Sequence, residues 1–306
     1  MVGPSKSGSF STLTSRQNIS LETPETVHIW LPLKTTKMYA GKAVLVIGGS
    51  SGLGLALAKE IKRRGGIVTI SSRSISKLEQ YKPEYKVTAI DITEEKSVRK
   101  ISTEFDMVFC CPGFAVPSSA QDISAEVTEK IMKCNFFGAV RVYSHFLKAV
   151  SETNRKSLVF VASTLALHAF SGYGMYAPSK AALSSFYEAV HEESAILGLD
   201  TYIYYVSTIL SPGFEEEEKI KPVATKKIEG ASRTLSARPE NRARTLLDEM
   251  RCNRVIYSDF VTRMFSKASD IRSVSDVLAW IAAPLFWCAF KLYCTYIIRR
   301  ECRKNV

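Results

Sequence analysis

Residues 43–54 read AVLVIGGSSGLG, an apolar run that passes directly into a cluster of glycines. The run is short and rich in aliphatic side chains, which is typical of a strand buried on both faces of a parallel sheet. Residues 55–64, LALAKEIKRR, then show the apolar stripe of a helix. Glycines between such a strand and helix allow a sharp turn and let a pyrophosphate lie against the positive end of the helix dipole. The stretch therefore predicts a phosphate cradle, with a purely structural turn as the alternative.

Five more apolar runs of strand length follow, and longer helix-forming segments separate them. The runs cover residues 67–71, 86–90, 107–111, 158–162 and 201–206, and residues 125–148 are an example of the helical segments. Strands that alternate with helices indicate β–α–β units with right-handed crossovers. We therefore predict an α/β fold, a doubly wound parallel sheet of the Rossmann type, over about residues 40–212.

The composition limits the classes of partner. The chain of 306 residues carries a net charge of +11, which would suit nucleic acid, anionic lipid or a phosphorylated cofactor. Its seven cysteines include no C-x-x-C pair and its four histidines stand apart, so no metal site is expected. Scattered thiols favour a reducing compartment, and the N-terminus lacks the apolar core of a secretion signal. The motifs below favour a cofactor and lipid, and no nucleic acid is expected.

The end of the second predicted strand, residues 71–74, reads Ser-Ser-Arg-Ser. Enzymes that use NAD usually place an acidic residue there, about 20 residues after the glycines, to bind the ribose 2′-hydroxyl. Here the charged side chain is Arg73, whose paired N–H donors suit a 2′-phosphate. The sequence therefore predicts NADPH as the cofactor, and a solvated loop arginine is the alternative.

Residues 172–180, GYGMYAPSK, bring two tyrosines close to one lysine. The helix formers after Tyr176 place it one turn from Lys180 on one helix face. An ammonium beside a phenol favours the phenolate and lowers the pKa of the phenol, which suits a proton donor to a developing alkoxide. Tyr173 is seven residues from Lys180 and lies between two glycines, so we expect it in the preceding loop. Tyr176 is the predicted acid.

Ser163 ends the fifth predicted strand, thirteen residues before Tyr176. Ligands of open α/β sheets bind beyond the carboxyl ends of the strands, so this hydroxyl can face a substrate carbonyl. Together, these motifs resemble the short-chain dehydrogenase/reductase family over about residues 41–215. The matching residues are Gly48, Gly52, Gly54, Asp91, Asn135, Ser163, Tyr176 and Lys180.

The resemblance implies a role for each polar residue of the match. Tyr176 would be the acid/base, Lys180 would hold the nicotinamide ribose and tune Tyr176, and Ser163 would orient the carbonyl. Asn135 would support the lysine through a water molecule, and Asp91 would contact the adenine. The predicted catalytic residues are Ser163, Tyr176, Lys180 and Asn135, and the predicted cofactor-binding residues are Gly48, Ser50, Ser51, Gly52, Gly54, Arg73, Asp91, Tyr176 and Lys180.

Two positions depart from the family pattern. Ile47 stands where the family often has a threonine that braces the glycine turn, and residues 110–113, Cys-Cys-Pro-Gly, replace the usual Asn-x-Ala-Gly. Both changes remove structural hydrogen bonds near the cofactor and leave the catalytic groups intact. Activity is therefore expected, and an NADPH-binding scaffold without turnover is one alternative.

A charged insertion, with the sequence PGFEEEEKIKP over residues 212–222, follows the sixth predicted strand. The family builds its substrate lid at this place. With IGGSSGLG upstream, the pattern resembles the 3-ketodihydrosphingosine reductases within that family. This resemblance implies NADPH-dependent reduction of the 3-keto group of 3-ketodihydrosphingosine to dihydrosphingosine in sphingolipid biosynthesis, on the cytosolic side of the endoplasmic reticulum. A membrane-bound reductase of another hydrophobic ketone, such as a 3-ketoacyl chain or a steroid, is the other alternative.

Residues 277–298 are almost entirely apolar. As a helix they would extend for about 33 Å, enough for a hydrocarbon core of about 30 Å. Pro284 and Lys291 interrupt the run, and basic residues after it favour a cytosolic C-terminus. A re-entrant or in-plane segment is therefore predicted, with a single span or a helix at a protein interface as alternatives. The expected interfacial anchors are Trp280, Trp287, Tyr293 and Tyr296.

Three regions are expected along the chain. Residues 1–38 would be a disordered extension, and residues 39–270 the NADP-binding reductase domain. Within that domain, residues at about 214–254 would form the lid, with a solvated, partly helical face as the alternative. Residues 271–306 would be the membrane-associating segment and basic tail, and the chain is expected to form a homo-oligomer.

Overall fold

Residues 38–230, 237–266 and 274–302 are described in the computed structural model. Within these ranges, seven parallel strands form one sheet in the order β3-β2-β1-β4-β5-β6-β7. The strands are β1 (Ala43–Ile47), β2 (Ile67–Ser72), β3 (Lys86–Ala89), β4 (Met107–Cys110), β5 (Lys156–Ser163), β6 (Leu199–Val206) and β7 (Val255–Tyr257). The order reverses between β1 and β4, which creates the crevice where ligands of doubly wound sheets bind.

Helices cover both faces of the sheet, as the alternating pattern predicts. The α-helices in the described ranges are α1 (Gly52–Arg63), α2 (Glu95–Val98), α3 (Ala125–Met132), α4 (Ala139–Leu147), α5 (Thr164–Leu167), α6 (Ala177–Leu197), α7 (Pro212–Ile220), α8 (Val223–Glu229), α9 (Pro239–Glu249), α10 (Phe260–Phe265) and α11 (Val274–Cys302). Two 3₁₀ helices, Ile75–Tyr81 and Ala120–Asp122, lie in connections. A π-helical turn, Lys133–Gly138, joins α3 to α4.

The core is divided by the sheet into two apolar layers. Alternate residues of β1 point to opposite faces, so Val44 and Val46 enter one layer and Leu45 and Ile47 enter the other. These four side chains are at most 1% exposed. The first layer also contains Leu57 from α1, so the apolar stripe predicted from the sequence is the face that packs on the sheet. The Rossmann-type fold class is therefore confirmed.

Strand β7 is absent from the prediction. It has three residues and follows the polar stretch Cys252–Arg254, so the sequence carries too short an apolar run to indicate a strand. It pairs with β6 through Ile203 and Val255, which extends the sheet on the side of α10. A strand of this length is fixed by its neighbour rather than by its own pattern.

Helix α9 corrects part of the prediction for residues 214–254. Its side chains Ala243, Leu246 and Leu247 are fully buried in the same apolar layer as α1. Arg242 is also buried and donates to the carbonyl oxygen of Ser258 at 2.8 Å. One side of α9 therefore belongs to the core, because the apolar residues among its charges are spaced to meet α1, and the exposed charges Arg244 and Asp248 form its solvated side.

The predicted extension over residues 1–38 lies outside the described residues except for Met38, and so do residues 231–236, 267–273 and 303–306. The same holds for the side chains of Trp280 and Trp287. Helix α11 packs its Phe290 against His168 and Phe265, with ring centroids 5.2 Å apart in both pairs. In the described part of the chain, no helix has both the length and the apolar character needed to cross a membrane.

Candidate active site

The glycine turn lies at the carboxyl end of β1. Gly48 has a φ of +79°, and its amide and that of Gly49 both donate to the carbonyl oxygen of Ser71 at 2.9 Å. A Cβ atom at Gly54 would overlap the carbonyl oxygen of Gly48, so the first turn of α1 presses on the end of the strand. The side chain of Ser51, at the N-cap of α1, accepts no hydrogen bond from that turn. The first amides of α1 therefore have no side-chain cap, and an anion suits them.

The end of β2 lies beside this turn and carries the predicted cofactor-selecting arginine. Arg73 follows the strand and is exposed. Ser71 is 0% exposed, and its hydroxyl has no hydrogen-bond partner within the described part of the chain. A buried hydroxyl without a partner is costly in a folded protein, so its presence here indicates a position that a ligand completes.

Asp91 lies just beyond β3, at the same edge of the sheet. Its Oδ1 accepts hydrogen bonds from the amide of Thr93 at 2.9 Å and from the hydroxyl of Thr93 at 2.7 Å. Its amide donates to the hydroxyl of Ser97 at 2.9 Å. These contacts fix the carboxylate at the strand end and bring it to the edge that also holds Gly48 and Arg73.

Tyr176, Lys180 and Ser163 come together where β5 ends and α6 begins. The amide of Lys180 donates to the carbonyl oxygen of Tyr176 at 3.4 Å, which is the one-turn spacing that the sequence predicts. The phenol of Tyr176 lies beside the hydroxyl of Ser163, close enough for that hydroxyl to lower its pKa. Tyr173 lies in the loop before α6, again as the glycines around it indicate. A phenol and a hydroxyl that are neighbours at this edge can both reach one carbonyl oxygen.

The pKa of Tyr176 differs from the prediction. Burial raises it above the usual value for tyrosine, the neighbouring hydroxyl of Ser163 lowers it, and the nearby Glu217 raises it further. The predicted lowering by Lys180 is absent, because the ammonium of Lys180 is directed elsewhere: it donates to the carbonyl oxygen of Val161 at 2.8 Å. The net result is a phenol that stays protonated at neutral pH.

Lys180 lies in a confined space below the site and is 3% exposed. A Cβ atom at Gly113 would lie 3.1 Å from its Nζ and 3.4 Å from Oδ1 of Asn135. Burial lowers the pKa of Lys180, and the surrounding thiols of Cys134, Cys110 and Cys111 oppose this effect. The unusual Cys-Cys-Pro-Gly segment therefore contributes part of the lining around the lysine.

The thiols themselves are poor nucleophiles. Burial raises the pKa of Cys110 to about 12, and it raises the pKa of Cys111 as well. Because the thiolate is the reactive form of cysteine, these residues act as small apolar groups at neutral pH.

Asn135 lies in the π-helical turn between α3 and α4 and is 1% exposed. Its Oδ1 accepts from the amide of Phe114 at 3.1 Å, and its Nδ2 donates to the carbonyl oxygen of Phe114 at 3.0 Å. Nδ2 also lies 3.0 Å from the hydroxyl of Ser179, next to Lys180. Asn135 thus fastens the loop after β4 to the start of α6. Turns of this kind are frequent at functional sites.

Two residues of this arrangement were not predicted. Ser179 joins Asn135 to α6, and its place beside Lys180 in the APSK stretch was the available signal. Glu217 approaches Tyr176 and Tyr173, but it stands in a run of four glutamates, Glu215–Glu218, in which no pattern distinguishes one from another. Only the tertiary structure shows which glutamate of the run meets Tyr173.

A family model described as short chain dehydrogenase matches residues 42–219 of the chain. The match begins just before β1 and ends in α7, so it contains the glycine turn, Asn135, Ser163, Tyr176 and Lys180.

Several curated proteins are similar to the chain. A 3-ketodihydrosphingosine reductase of Yarrowia lipolytica is 30% identical over 86% of this chain and 77% of its own length. A 3-dehydrosphinganine reductase of Danio rerio is 30% identical over 63% of this chain and 64% of its own length. A fusion protein of Schizosaccharomyces pombe that includes a 3-ketodihydrosphingosine reductase is 31% identical over 62% of this chain. The matched part is 42% of that fusion protein, so the chain spans less than half of its length.

Solved structures share the fold. A short chain dehydrogenase from Burkholderia cenocepacia in complex with NADP has a TM-score of 0.64, with 19% identity over 78% of this chain and 96% of its own. A short chain dehydrogenase/reductase from Burkholderia phymatum in complex with NAD also has a TM-score of 0.64, with 16% identity over 77% of this chain and 99% of its own. At this identity the likeness concerns the architecture alone.

Proposed function

The chain belongs to the short-chain dehydrogenase family, and from this we propose that it reduces the 3-keto group of 3-ketodihydrosphingosine to dihydrosphingosine with NADPH. One observation carries the reductase assignment: the phenol of Tyr176 lies beside the hydroxyl of Ser163, one helical turn from Lys180, at the carboxyl edge of the sheet. The choice of substrate is supported by the relatives named for this reaction.

The residues beyond β1 and β2 fit NADPH. The first turn of α1, which has no side-chain cap, would offer its backbone amides to the pyrophosphate, with Ser50 and Ser51 in the adjoining glycine turn. Arg73 would bind the 2′-phosphate, and the partnerless hydroxyl of Ser71 would find an acceptor there.

The remaining cofactor contacts would come from the other strand ends. Asp91 would contact the adenine from the end of β3, where Thr93 fixes its carboxylate. Lys180 would hold the nicotinamide ribose through its ammonium. These assignments remain predictions for binding experiments.

Tyr176 performs the proton transfer in this proposal. When bound, NADPH supplies the hydride to the keto carbon. The phenol of Tyr176 is protonated at neutral pH, as tyrosine ordinarily is, so it can donate its proton to the oxygen as negative charge develops there. Ser163 orients the same oxygen through its hydroxyl and stabilises the phenolate that remains. The ketone thereby becomes a secondary alcohol, with the hydride on carbon and the proton on oxygen.

The decisive experiment is NADPH oxidation by purified protein with 3-ketodihydrosphingosine in detergent. We expect turnover with this ketone and at least tenfold lower kcat/KM with a 3-ketoacyl chain or a steroid ketone. Preference for one of the other ketones would reassign the substrate. Binding of NADPH without oxidation by any of them would contradict the reductase proposal.

We also propose that the protein acts at the endoplasmic reticulum membrane with its catalytic domain in the cytosol, and that α11 lies in the membrane plane. The side chains of α11 that pack inward are Phe286, Phe290, Cys294 and Ile297. Its outward side chains include Ile281, Leu285 and Leu292, which are 59%, 76% and 72% exposed. An apolar stripe of this kind on the surface supports binding to lipid.

The lid proposal is narrower than residues 214–254. Helices α7 and α8 lie next to the loop that carries Tyr173 and Tyr176, whereas α9 belongs to the core. We propose that α7 and α8 together cover the substrate. The expected homo-oligomer stays a prediction, and sedimentation in detergent would test it.

A further inference from the structure

A buried group of ionisable side chains connects α7 and α8 to the loop before α6. We call its members, Tyr173, Glu217, Glu218, Lys221 and Glu229, the Tyr173 cluster. The hydroxyl of Tyr173 lies 2.5 Å from Oε1 of Glu217 and 2.6 Å from Oε1 of Glu229. Nζ of Lys221 lies 2.5 Å from a carboxyl oxygen of Glu218 and 2.5 Å from one of Glu229. Tyr173 is 2% and Lys221 is 4% exposed, so water screens these contacts little.

The number of hydrogens available for the contacts of Tyr173 indicates that a carboxyl group of the cluster also holds a proton. Tyr173 has one hydroxyl hydrogen but contacts two carboxyl oxygens, so one of these contacts requires a proton on the carboxyl side. Three carboxyl groups also face the single ammonium of Lys221, which leaves excess negative charge if all of them ionise. Burial raises the pKa of Glu217, although Tyr173 and Lys221 oppose the effect. Glu217 is therefore the carboxyl group best suited to keep the proton.

Tyr173 also forms part of the N-terminus of α6. Its carbonyl oxygen accepts hydrogen bonds from the amide of Tyr176 at 3.1 Å and from the amide of Ala177 at 2.8 Å. The ring centroids of Tyr173 and Tyr176 are 6.0 Å apart. These hydrogen bonds involve the backbone carbonyl, so they anchor Tyr176 whether or not the hydroxyl of Tyr173 is present.

Helix α8 lies directly on the same loop. Gly172 has a φ of +99°, and a Cβ atom there would overlap the hydroxyl of Thr225. That hydroxyl donates to the carbonyl oxygen of Ser171 at 3.1 Å. The loop and α8 thus meet through backbone as well as through the Tyr173 cluster, and α7 depends on Glu217 and Lys221 for its polar connection.

We propose that Tyr173 is a positioning residue for the reduction: through Glu217 and Glu229 it holds α7 and α8 against the loop that carries Tyr176, and so completes the substrate side of the site. Its hydroxyl is engaged by two carboxyl groups and does not exchange a proton with the substrate. The inference rests on the proposed function only for the identity of the substrate in the kinetic test.

The first test measures local opening without any activity. Full-length protein with NADPH is digested with trypsin, and mass spectrometry follows cleavage after Lys226 and Lys227 in α8. Because cleavage tracks the population of the open form, Tyr173→Phe should raise its rate about ten- to a hundredfold, the usual effect of one hydrogen bond to a charged group. An unchanged rate would overturn the proposal.

The second test compares two substitutions of Glu217. The readout is cleavage after Lys219 in α7, the helix that carries Glu217. Gln keeps the hydrogen bonds and lacks the charge, so Glu217→Gln should raise this cleavage no more than about threefold. Glu217→Ala removes the contact between Tyr173 and α7 and should raise it as much as Tyr173→Phe does. The matched control is Glu216→Ala, one position away, where the side chain is 73% exposed and pairs with Lys219. If Gln opened the helix as much as Ala, a proton-sharing contact would be excluded.

The third test separates positioning from chemistry. With 3-ketodihydrosphingosine, Tyr173→Phe and Glu217→Ala should raise KM at least tenfold, keep kcat within about threefold, and leave the NADPH Kd unchanged. Glu217→Gln should restore KM. A fall in kcat at constant KM would show instead that Tyr173 takes part in proton transfer. If the wild-type protein does not reduce this ketone, the proposed function fails while the proteolysis result still decides the inference.

Discussion

Two tyrosines precede α6, and the partners of their hydroxyls differ. The hydroxyl of Tyr173 is engaged by Glu217 and Glu229, whereas the phenol of Tyr176 lies beside the hydroxyl of Ser163. The sequence separates them by a simpler criterion, the one-turn spacing of Tyr176 from Lys180. Both criteria assign Tyr176 as the acid, but only the structure shows that the hydroxyl of Tyr173 contacts two carboxyl groups.

Replacing Tyr176 by Phe tests the proton donor. The ring remains, so the NADPH Kd should change by less than about threefold. Turnover should fall by at least about 10²–10⁴-fold, the usual contribution of a positioned acid. Stopped-flow kinetics and fluorescence titration measure the two quantities. Substantial turnover in this variant, or its loss in Tyr173→Phe at saturating ketone, would reverse the assignment.

Replacing Arg73 by Ala tests the choice of cofactor. The exposed guanidinium would contact only the 2′-phosphate, so the KM for NADPH should rise about ten- to a hundredfold. The KM for NADH, which lacks this phosphate, should remain within about twofold. Steady-state kinetics with both cofactors provides the measurement, and equal losses would show that Arg73 has a structural role.

The direction in which the pKa of Tyr176 shifts could not be predicted from the spacing of residues. The sequence places an ammonium one turn from a phenol and therefore suggests a lowered pKa for Tyr176. In the structure, Lys180 donates to the carbonyl oxygen of Val161, and burial raises the pKa of the Tyr176 phenol. Spacing fixes which backbones are close, but burial and side-chain direction depend on elements far along the chain.

At the scale of elements, the glycine turn offers a test with a matched control. Gly54→Ala places a Cβ atom on the carbonyl oxygen of Gly48, so the first turn of α1 must move. NADPH affinity should fall more than about tenfold and the melting temperature should drop. Gly213→Ala lies in the first turn of α7, where the nearest atom to the new Cβ is 3.8 Å away, and should change neither. Normal NADPH binding by Gly54→Ala would contradict the cradle.

The connection between α7, α8 and the loop should depend on pH. The pKa of Glu217 in the folded protein is raised by burial, so its stabilising contribution is present at low pH and is lost as pH rises through that value. The groups that face it are Tyr173, Glu218, Lys221 and Glu229, with Tyr176 beyond Tyr173.

Tryptic cleavage after Lys219 in α7, the helix that carries Glu217, provides the measurement for this pH dependence. The cleavage rate of the wild-type protein, divided by that of Glu217→Gln at the same pH, should increase as the pH rises above the usual titration range of glutamate. The division removes the pH dependence of trypsin itself. A constant ratio would show that Glu217 does not titrate in this range.

Elements with a regular pattern were predictable, and elements fixed by their neighbours were not. The six longer strands each carry a clear apolar run, so their positions follow from sequence. Strand β7 has three residues and depends on pairing with β6. Helix α9 is rich in charge, and its burial is evident only once Leu246 and Leu247 are seen against α1.

At the scale of the whole molecule, the proposed membrane contact of α11 can be tested through its outward apolar side chains. Replacing Ile281, Leu285 and Leu292 by Ser removes the outward apolar stripe while the inward residues remain. Each large apolar side chain buried in lipid contributes roughly 1.5–3 kcal/mol, so vesicle binding should fall more than about a hundredfold. Flotation with liposomes of endoplasmic-reticulum composition measures it.

The control variant replaces three exposed apolar side chains that lie outside α11. Ile67, Ile196 and Leu197 are also exposed, at 56%, 73% and 46%, and lie outside α11. Their replacement by Ser should leave flotation unchanged. Equal loss in both triple variants, or no loss in either, would contradict a membrane-binding role for α11.

The architecture of the whole molecule is the part that the sequence predicts best. A buried parallel sheet needs continuous apolar strands, and those runs alternate visibly with helices along the chain. The position of α7 and α8 is harder to predict from the sequence, because it depends on which glutamate of a run meets Tyr173. Long-range polar contacts of this kind leave little trace in a single sequence.

The π-helical turn that carries Asn135 changes the rotation of α4 relative to α3. Each residue of an α-helix rotates the next by about 100°, so the wider turn over Lys133–Gly138 offsets α3 from α4 by a fraction of a revolution. Asn135 faces Phe114 and Ser179 while Ile131 and Val142 on either side both remain in the core. In this chain the extra residue of the turn shifts α4 in rotation relative to α3, at the place where the amide of Asn135 reaches Phe114 and Ser179.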